Sequence, residues 1–356
     1  MNPRRAGAVA RRVVAQFRRD RRTIALLFVA PIVVLTLVGA LWGAGSGSGR
    51  PARVAIATDT FGAPLAAERL AAASGIDGRR MTLTDGQRAL EDGTVEAIVR
   101  QTGAGLVIEV EGSDPARTSA TIGALGRAAG DALAGANVAG APPITVTYRY
   151  GGPDRTLLDY LAPMLIAFFA FFFIFLLAAV AFLRERTSGT LERLLASPLR
   201  RGELVAGYLL GFGLFALLQA LVILIFTVVV LKVQYRGNLA TIFLVEAVLV
   251  VGAVSLGLAV SAFARNELQA VQFVPLILLP QVFLSGLLVP VDQLPDVLRP
   301  IAAVLPLTYA NEALRSVMIK GYPLGDPLIL RDLGILAAFA LLAATAAVAS
   351  IRREVA

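Results

Sequence analysis

The segment Arg184-Glu-Arg-Thr-Ser-Gly-Thr-Leu-Glu-Arg-Leu-Leu-Ala-Ser-Pro-Leu-Arg-Arg201 lies between two apolar runs, residues 157–183 and 204–231. Each run is long enough to cross a bilayer. Charge of this density has no place in hydrocarbon, so the segment must lie at a membrane face. Its five arginines put it on the cytoplasmic face. The chain is therefore expected to contain membrane spans, and the rest of it is read against that layout.

Further spans are expected at 23–43, 239–264, 268–289 and 333–350, making six. Between the last two lies a Pro-punctuated stretch, 290–320, whose apolar pieces are too short to cross. A re-entrant or interfacial helical hairpin sheltered by neighbouring helices suits it. With six spans and both ends inside, the inner segments carry 16 basic residues. The short outer loop carries Lys232 and Arg236, and 290–332 has four basic residues against five acids. The positive-inside rule therefore favours cytoplasmic termini and a multi-pass protein of the plasma membrane.

Residues 1–22 hold eight arginines and one acid, with doublets at Arg4-Arg5, Arg11-Arg12 and Arg18-Arg19. A seven-residue spacing is close to two helical turns, so the doublets share one face while Val9, Val13 and Phe17 share another. This reads as an amphipathic cytoplasmic helix lying on the inner leaflet. A disordered basic tail and a twin-arginine export signal are the alternatives. The latter is opposed by an apolar run too long for a signal peptide and by the lack of an Ala-x-Ala site.

Residues 43–49 form a Gly/Ser linker. Residues 50–156 carry 11 arginines against 12 acids and no spanning run. They are expected to form an extracytoplasmic α+β domain. Its strands are expected at 54–57, 80–83, 96–99, 106–110 and 144–148, and its helices at 63–73, 85–92 and 115–136. The fold class is thus an α-helical polytopic membrane protein with six transmembrane helices plus an inserted extracytoplasmic α+β domain.

Two motifs carry a resemblance. Glu185-Arg186-x-x-Gly189-Thr190-Leu191-Glu192-x-Leu194-Leu195-x-x-Pro198 resembles the cytoplasmic coupling segment of ABC-2 type transporter permeases. Ser285-Gly286 with Pro290, followed by Pro306 and Tyr309 of Leu305-Pro-Leu-Thr-Tyr309, is similar to that family's C-terminal signature. The matches cover about 157–320, and the order of one span, an outer domain and five spans is that of one subgroup. The resemblance implies that 184–201 docks on a separate P-loop ATPase subunit, with ATP and Mg on that partner. It also implies a second permease subunit, as homodimer or heterodimer, and a hydrophobic drug-like or lipid-like substrate moved outward. From the residues alone, Thr187 or Ser188 can cap a helix closed by Pro198. Such a helix would offer Leu191, Leu194 and Leu195 to a partner groove. An ordinary positive-inside loop would need neither cap nor leucine stripe.

Glu246 is the one carboxylate well inside an expected span, which makes it a candidate for a substrate path or proton site. Gln219, Gln272 and Gln281 are its expected polar neighbours. A structural hydrogen bond between helices is the competing reading. Small residues at Gly207-x-x-x-Gly211 and at Gly252, Ser255 and Gly257 permit close helix packing, and the phenylalanines of 168–175 fit either lipid-facing packing, the favoured reading, or the lining of a hydrophobic path.

There is no cysteine and no histidine, which removes disulfides, thiolate chemistry and the commonest metal ligand and general base. No metal-ligand cluster is expected. No Gly-x-x-x-x-Gly-Lys-Ser/Thr occurs, so any ATP would be hydrolysed by another chain. The net charge of +8 follows membrane topology and not a nucleic-acid face. The rival functions are a proton-coupled secondary transporter using Glu246, which usually shows repeated halves, and a membrane-anchored sensor or assembly protein.

Overall fold

The computed structural model describes residues 2–41, 51–61, 71–72, 75–103, 105–113, 115–134, 144–152, 155, 157–264, 266–287 and 290–351. It forms two compact units: one of 1–41 with 161–356, the other of 42–160.

Two helices open the first unit. Helix α1, Pro3–Arg19, starts where the Asn2 side chain accepts from the Arg4 amide and proline occupies the first helical position. Its buried residues are Ala6, Val9, Val13 and Phe17, one stripe at helical period. Helix α2, Arg21–Leu41, follows after a break at Asp20. The Asp20 carboxylate accepts from both the Thr23 amide (3.1 Å) and the Thr23 hydroxyl (2.7 Å), capping the new helix.

The second unit is built on a mixed sheet of β1 (Ala52–Ala57), β2 (Ile76–Met81), β3 (Ala97–Thr102), β4 (Gly105–Val110) and β5 (Ile144–Tyr148). The spatial order is β2-β1-β3-β4-β5, with the β3–β4 pair antiparallel and the other pairs parallel. Helix α3, Leu83–Glu91, covers one face through Leu90, packed with Ala55, Ala57 and Ile98. Helix α4, Pro115–Ala134, covers the other through Ala124, Leu125 and Ala128, packed with Val54, Ile56 and Val99. Covering on both sides explains why β1 reads as near-continuous apolar residues and not as an alternation. The expected strand at 80–83 lies instead at Ile76–Met81. The Thr82 hydroxyl accepts from the Asp85 amide (3.2 Å), which starts α3 and carries Leu83 into the helix. The expected helix at 63–73 falls largely outside the described residues.

The chain then returns to the helical unit. Helix α5, Leu157–Thr187, is followed by the short α6, Thr190–Ala196, and by α7, Arg201–Ile225, which ends in a π-helical turn at Phe226–Val230. Next come α8 (Leu239–Ser261), α9 (Glu267–Leu284), the one-turn α10 (Arg299–Ala302), α11 (Pro306–Arg315) and α12 (Pro327–Ser350). Among the described residues four helices are long and apolar enough to cross a membrane, at 158–187, 201–230, 239–261 and 327–350, and the described parts of two more, 23–37 and 268–284, are shorter apolar stretches. Burial covers 67% of the apolar stretch of α5 and of α8 but 22% of that of α12. The first two are therefore the centre of the unit. The outward leucines of α7 and α12, such as Leu210, Leu214, Leu341 and Leu342, form an apolar outer surface suited to lipid.

Glycines set the closest approaches. A Cβ on Gly207 would lie 2.5 Å from the Val9 Cβ, and one on Gly211 2.7 Å from the Val13 Cβ. The Gly207-x-x-x-Gly211 pair is therefore the seat of α1. The apolar stripe of α1 is covered by α7, with Phe17 packed edge-on to Phe212 at 5.3 Å, and is not turned to the inner leaflet as expected.

Several boundaries differ from expectation. Helix α5 continues through Thr187, because Arg184, Glu185 and Arg186 find helical places at its end. Helix α12 starts at Pro327 and not near 333. Asp326 caps it, accepting from the Leu328 amide (2.9 Å), and Arg331 and Asp332 pair with each other at 2.7 Å.

Candidate functional site

The charged segment 184–201 folds as a corner in three parts: the last turn of α5, the short α6, and the start of α7. Gly189 makes the bend at φ +69°, ψ +8°, in the left-handed region that costs glycine nothing. The expected caps do not form. Thr187 is the last residue of α5 and its hydroxyl donates back to the Leu183 carbonyl (3.2 Å). The Ser188 hydroxyl meets that of Thr190 at 2.8 Å, and no side chain caps α6. Ser197 closes α6, one residue before Pro198.

The expected leucine stripe is corrected too. Leu191 is only 7% exposed and Leu194 is half-buried, so these residues hold the corner to its own protein. The side chain of Leu195 lies outside the described set. On α6 and just past it, Glu192, Arg193, Ala196 and Pro198 are turned outward, and Thr187 and Ser188 are exposed before the bend.

Three ties fix the corner to the rest of the helical unit. Glu185, 5% exposed, accepts from Arg12 Nη2 of α1 at 3.0 and 2.8 Å. Arg186 Nη1 donates to the Ser261 carbonyl at the end of α8 (2.7 Å). On the far side, Arg5 donates to the Pro198 carbonyl, and the buried Glu203 accepts from the amides of Asn2 (2.7 Å) and Arg200 (3.0 Å). Helix α1 therefore straps both edges of the corner, while Arg186 links it to a central helix. Beside the strap a polar depression of about 490 Å³ is lined by Arg12, Gln16, Arg184, Glu185, Ser188 and Thr190 among others. Glu185 and Arg186 thus hold the corner in place and are not its outward surface. Asn2, Glu203 and Ser261 were not singled out by sequence, and Arg5 and Arg12 were noted there only as members of the spaced doublets, without these partners.

The second motif is a local hydrogen-bonded knot. Ser285 closes α9 and Gly286 follows at φ +83°. Pro290 opens a 3-10 turn, and Pro306 is the first residue of α11. The Thr308 hydroxyl donates to the Ala302 carbonyl and the Tyr309 hydroxyl to that of Ala303, both at 2.7 Å. Asn311 donates to the carbonyl (3.0 Å) and hydroxyl (3.2 Å) of Ser285. Asn311 was not foreseen, and it is what joins the two halves of the motif. Nearby, Arg331 of α12 bridges to Glu312 of α11 (2.8 Å) and to the fully buried Asp332.

Glu246 is fully buried on α8, and neither carboxyl oxygen makes a hydrogen bond among the described residues. Gln219 is fully buried on α7. Its Nε2 donates to the Phe169 carbonyl of α5 (3.3 Å), and its Oε1 has no partner. Gln281 is buried on α9 with its Oε1 unpartnered, whereas Gln272 is exposed. The expected polar group is therefore not assembled by hydrogen bonds, and Gln272 leaves it because it faces outward. Gly257 of α8 seats against Phe175 and Ala178 of α5.

A family model described as ABC-2 family transporter protein matches residues 21–349. The chain belongs to this family. Among similar curated proteins, ABC transporter G family member 20 of Dictyostelium discoideum is 34% identical over 187 residues, 52% of this chain and 26% of that protein. The probable multidrug ABC transporter permease YbhS of Escherichia coli K12 is 29% identical over 147 residues, 41% of this chain and 39% of the other. The linearmycin resistance permease protein LnrN of Bacillus subtilis is 30% identical over 175 residues, 49% and 45% of the two chains. The chain spans less than half the length of each of these relatives.

Proposed function

We propose that this chain is the permease subunit of an ATP-driven ABC-2 exporter. Its corner at 184–201 receives the stroke of a separate P-loop ATPase that carries ATP and Mg. The observation that carries the reading is the corner itself: outward Glu192 and Arg193 on a short helix, strapped by Arg12–Glu185 and tied by Arg186 to the end of α8. A push on α6 must be felt by α1, α5 and α8 together. Closure of the ATPases would then bias the helices between inward- and outward-facing states, a shift no larger than the ATPase's differential affinity for the two.

In this reading the helices at 23–41 and 267–284 join the four longer ones as six spans. The corner and residues 1–22 are cytoplasmic and the unit at 42–160 is extracytoplasmic, in a plasma-membrane protein that pairs with a second permease subunit. Its substrate in this reading is a hydrophobic drug-like or lipid-like compound; the drug-like choice is supported by two relatives, a probable multidrug permease and a linearmycin resistance permease. Glu246, buried without a partner, is the candidate polar point on the path, and its isolation also favours a second reading, a proton site.

Cysteine labelling tests the topology in a chain with no cysteine of its own. Ser119→Cys, exposed on α4, should react with an impermeant maleimide added to intact cells. Ser188→Cys, exposed at the corner, should react only after the membrane is opened. The reverse pattern would turn the corner away from any ATP-driven partner and end the proposal.

A further inference from the structure

The sheet of the second unit ends in two unlike edges. At one, β2 exposes Asp77, Arg79 and Arg80. Charges on an edge keep a foreign strand from pairing with it. At the other, β5 reads Ile144-Thr-Val-Thr-Tyr148 and carries no charge. Ile144, Thr145 and Thr147 are exposed there, Ile144 to 41%. Strand β5 pairs with β4 on one side, and no strand among the described residues pairs with its other side. All five residues are β-branched or aromatic, the types that favour a strand, and nothing in them repels another one.

The direction of the backbone groups is fixed by one bond. The Arg149 amide donates to the Val110 carbonyl of β4 (2.9 Å). Successive residues of a strand turn their N–H and C=O to alternate sides. Thr145 and Thr147 therefore bond to β4, while Ile144, Val146 and Tyr148 present N–H and C=O outward. Laid antiparallel on itself about Val146, the strand matches its own copy. Val146 then faces Val146, Ile144 faces Tyr148, and Thr145 faces Thr147. Outward-bonding residues meet outward-bonding residues, so these three pairs exchange about six backbone hydrogen bonds. The threonines meet in the closer, non-bonded pairs. Thr with Thr and β-branched with aromatic are both favourable across strands.

We infer that β5 is a seam between two copies of this chain, joined edge to edge through Val146 into one continuous sheet. The match of the strand to itself, in backbone and side chains alike, is what selects a second copy over another partner. The inference rests on the proposed pairing with a second permease subunit and narrows that subunit to an identical one. Five residues make a weak contact alone, but two domains tethered in one dimer meet at a high effective concentration.

Disulfide trapping tests the inference in the full chain, which has no cysteine. Two differently tagged copies are co-expressed and their membranes oxidised with copper phenanthroline. Opposed residues of a hydrogen-bonded pair lie about 5.5 Å apart at Cα, within reach of a disulfide. Val146→Cys should therefore link the two copies. Thr145→Cys on one copy should link to Thr147→Cys on the other faster than either links to itself, and this pair of exposed positions serves should Val146→Cys not fold. Arg79→Cys, on the charged edge, should stay unlinked. Val146→Pro removes an outward N–H and spares those that bond β4, so it should slow the Thr145→Cys–Thr147→Cys link by about tenfold. Capture of one tag by the other, without oxidation, reports pairing of the copies separately. Copies that co-purify yet form no link at these positions would overturn the inference. So would a mixed link no faster than the self-links, a rate that Val146→Pro leaves unchanged, equal linking at Arg79→Cys, or Val146→Cys linked to a chain of another mass. Copies that do not co-purify would overturn the pairing itself, and the seam with it.

Discussion

The strap between α1 and the corner should respond unequally to removal of its two partners. Glu185 is 5% exposed, while the Arg12 side chain that holds it is 37% exposed. Glu185→Ala frees an arginine that can swing into water, so no buried charge is stranded. The cost should fall between that of an exposed pair, about 0.2–1 kcal/mol, and that of a broken buried one, about 3–5 kcal/mol; we take about 1–2 kcal/mol. Arg12→Ala leaves the Glu185 carboxylate buried without its guanidinium and should cost about 3 kcal/mol. The double variant strands nothing and should resemble Glu185→Ala. Docking of α1 can be read from Val9→Cys, since Val9 is 4% exposed and a thiol there reacts only when α1 lifts from α7. At tenfold per 1.4 kcal/mol, labelling should accelerate about 10-fold in Glu185→Ala and about 100-fold in Arg12→Ala. Equal rates in the two single variants, or no change in either, would refute the strap.

Three further outcomes follow from the packing. Gly207→Leu should lift α1, because its Cβ would already meet Val9 at 2.5 Å. The strain should be about 1–3 kcal/mol, seen as faster Val9→Cys labelling, and Gly213→Ala, whose added Cβ meets nothing within 4 Å, should leave the rate unchanged. Asn311→Ala leaves the buried Ser285 carbonyl without its donor and should cost about 1–3 kcal/mol, measured as a lower midpoint of thermal aggregation in detergent. Glu246→Gln keeps shape and replaces the ionisable carboxyl by a neutral amide, so it should insert and fold normally, whereas Glu246→Lys should fail to accumulate in the membrane. Normal accumulation of Glu246→Lys would mean that Glu246 is not enclosed by the helices.

Much of the helical unit was legible because its signals are local. Apolar length gave the long helices, and the spacing of Val9, Val13 and Phe17 marked the buried side of α1 before its cover was known. What covers it was not legible. The same amphipathic stripe serves a leaflet or a neighbouring helix, and only the register of Gly207 and Gly211 against Val9 and Val13 decides. The corner was found by motif, but its inner logic was misread. Thr187 and Ser188 looked like caps because they precede Glu192, yet the apolar run of α5 carries the helix past them and Gly189 takes the bend. Leu191 was assigned outward because a helix of seven residues has too little pattern to orient. Asn311 was missed because its partner, Ser285, comes from another helix, and Asp332 because the arginine that holds it, Arg331, is itself bridged to Glu312 of another helix. Gln272 was placed beside Glu246 by polarity alone, and polarity says nothing of which way a helix is turned.

The central claim is that the corner at 184–201 meets a nucleotide-hydrolysing partner. A photo-crosslinking amino acid at Glu192, which points outward from α6, tests it most directly in intact cells, with the captured chain sequenced by mass spectrometry. The account predicts a chain carrying a P-loop, captured at Glu192 and not from the buried Leu191. Capture of no such chain at Glu192, with the protein at its normal level in the membrane, would contradict it.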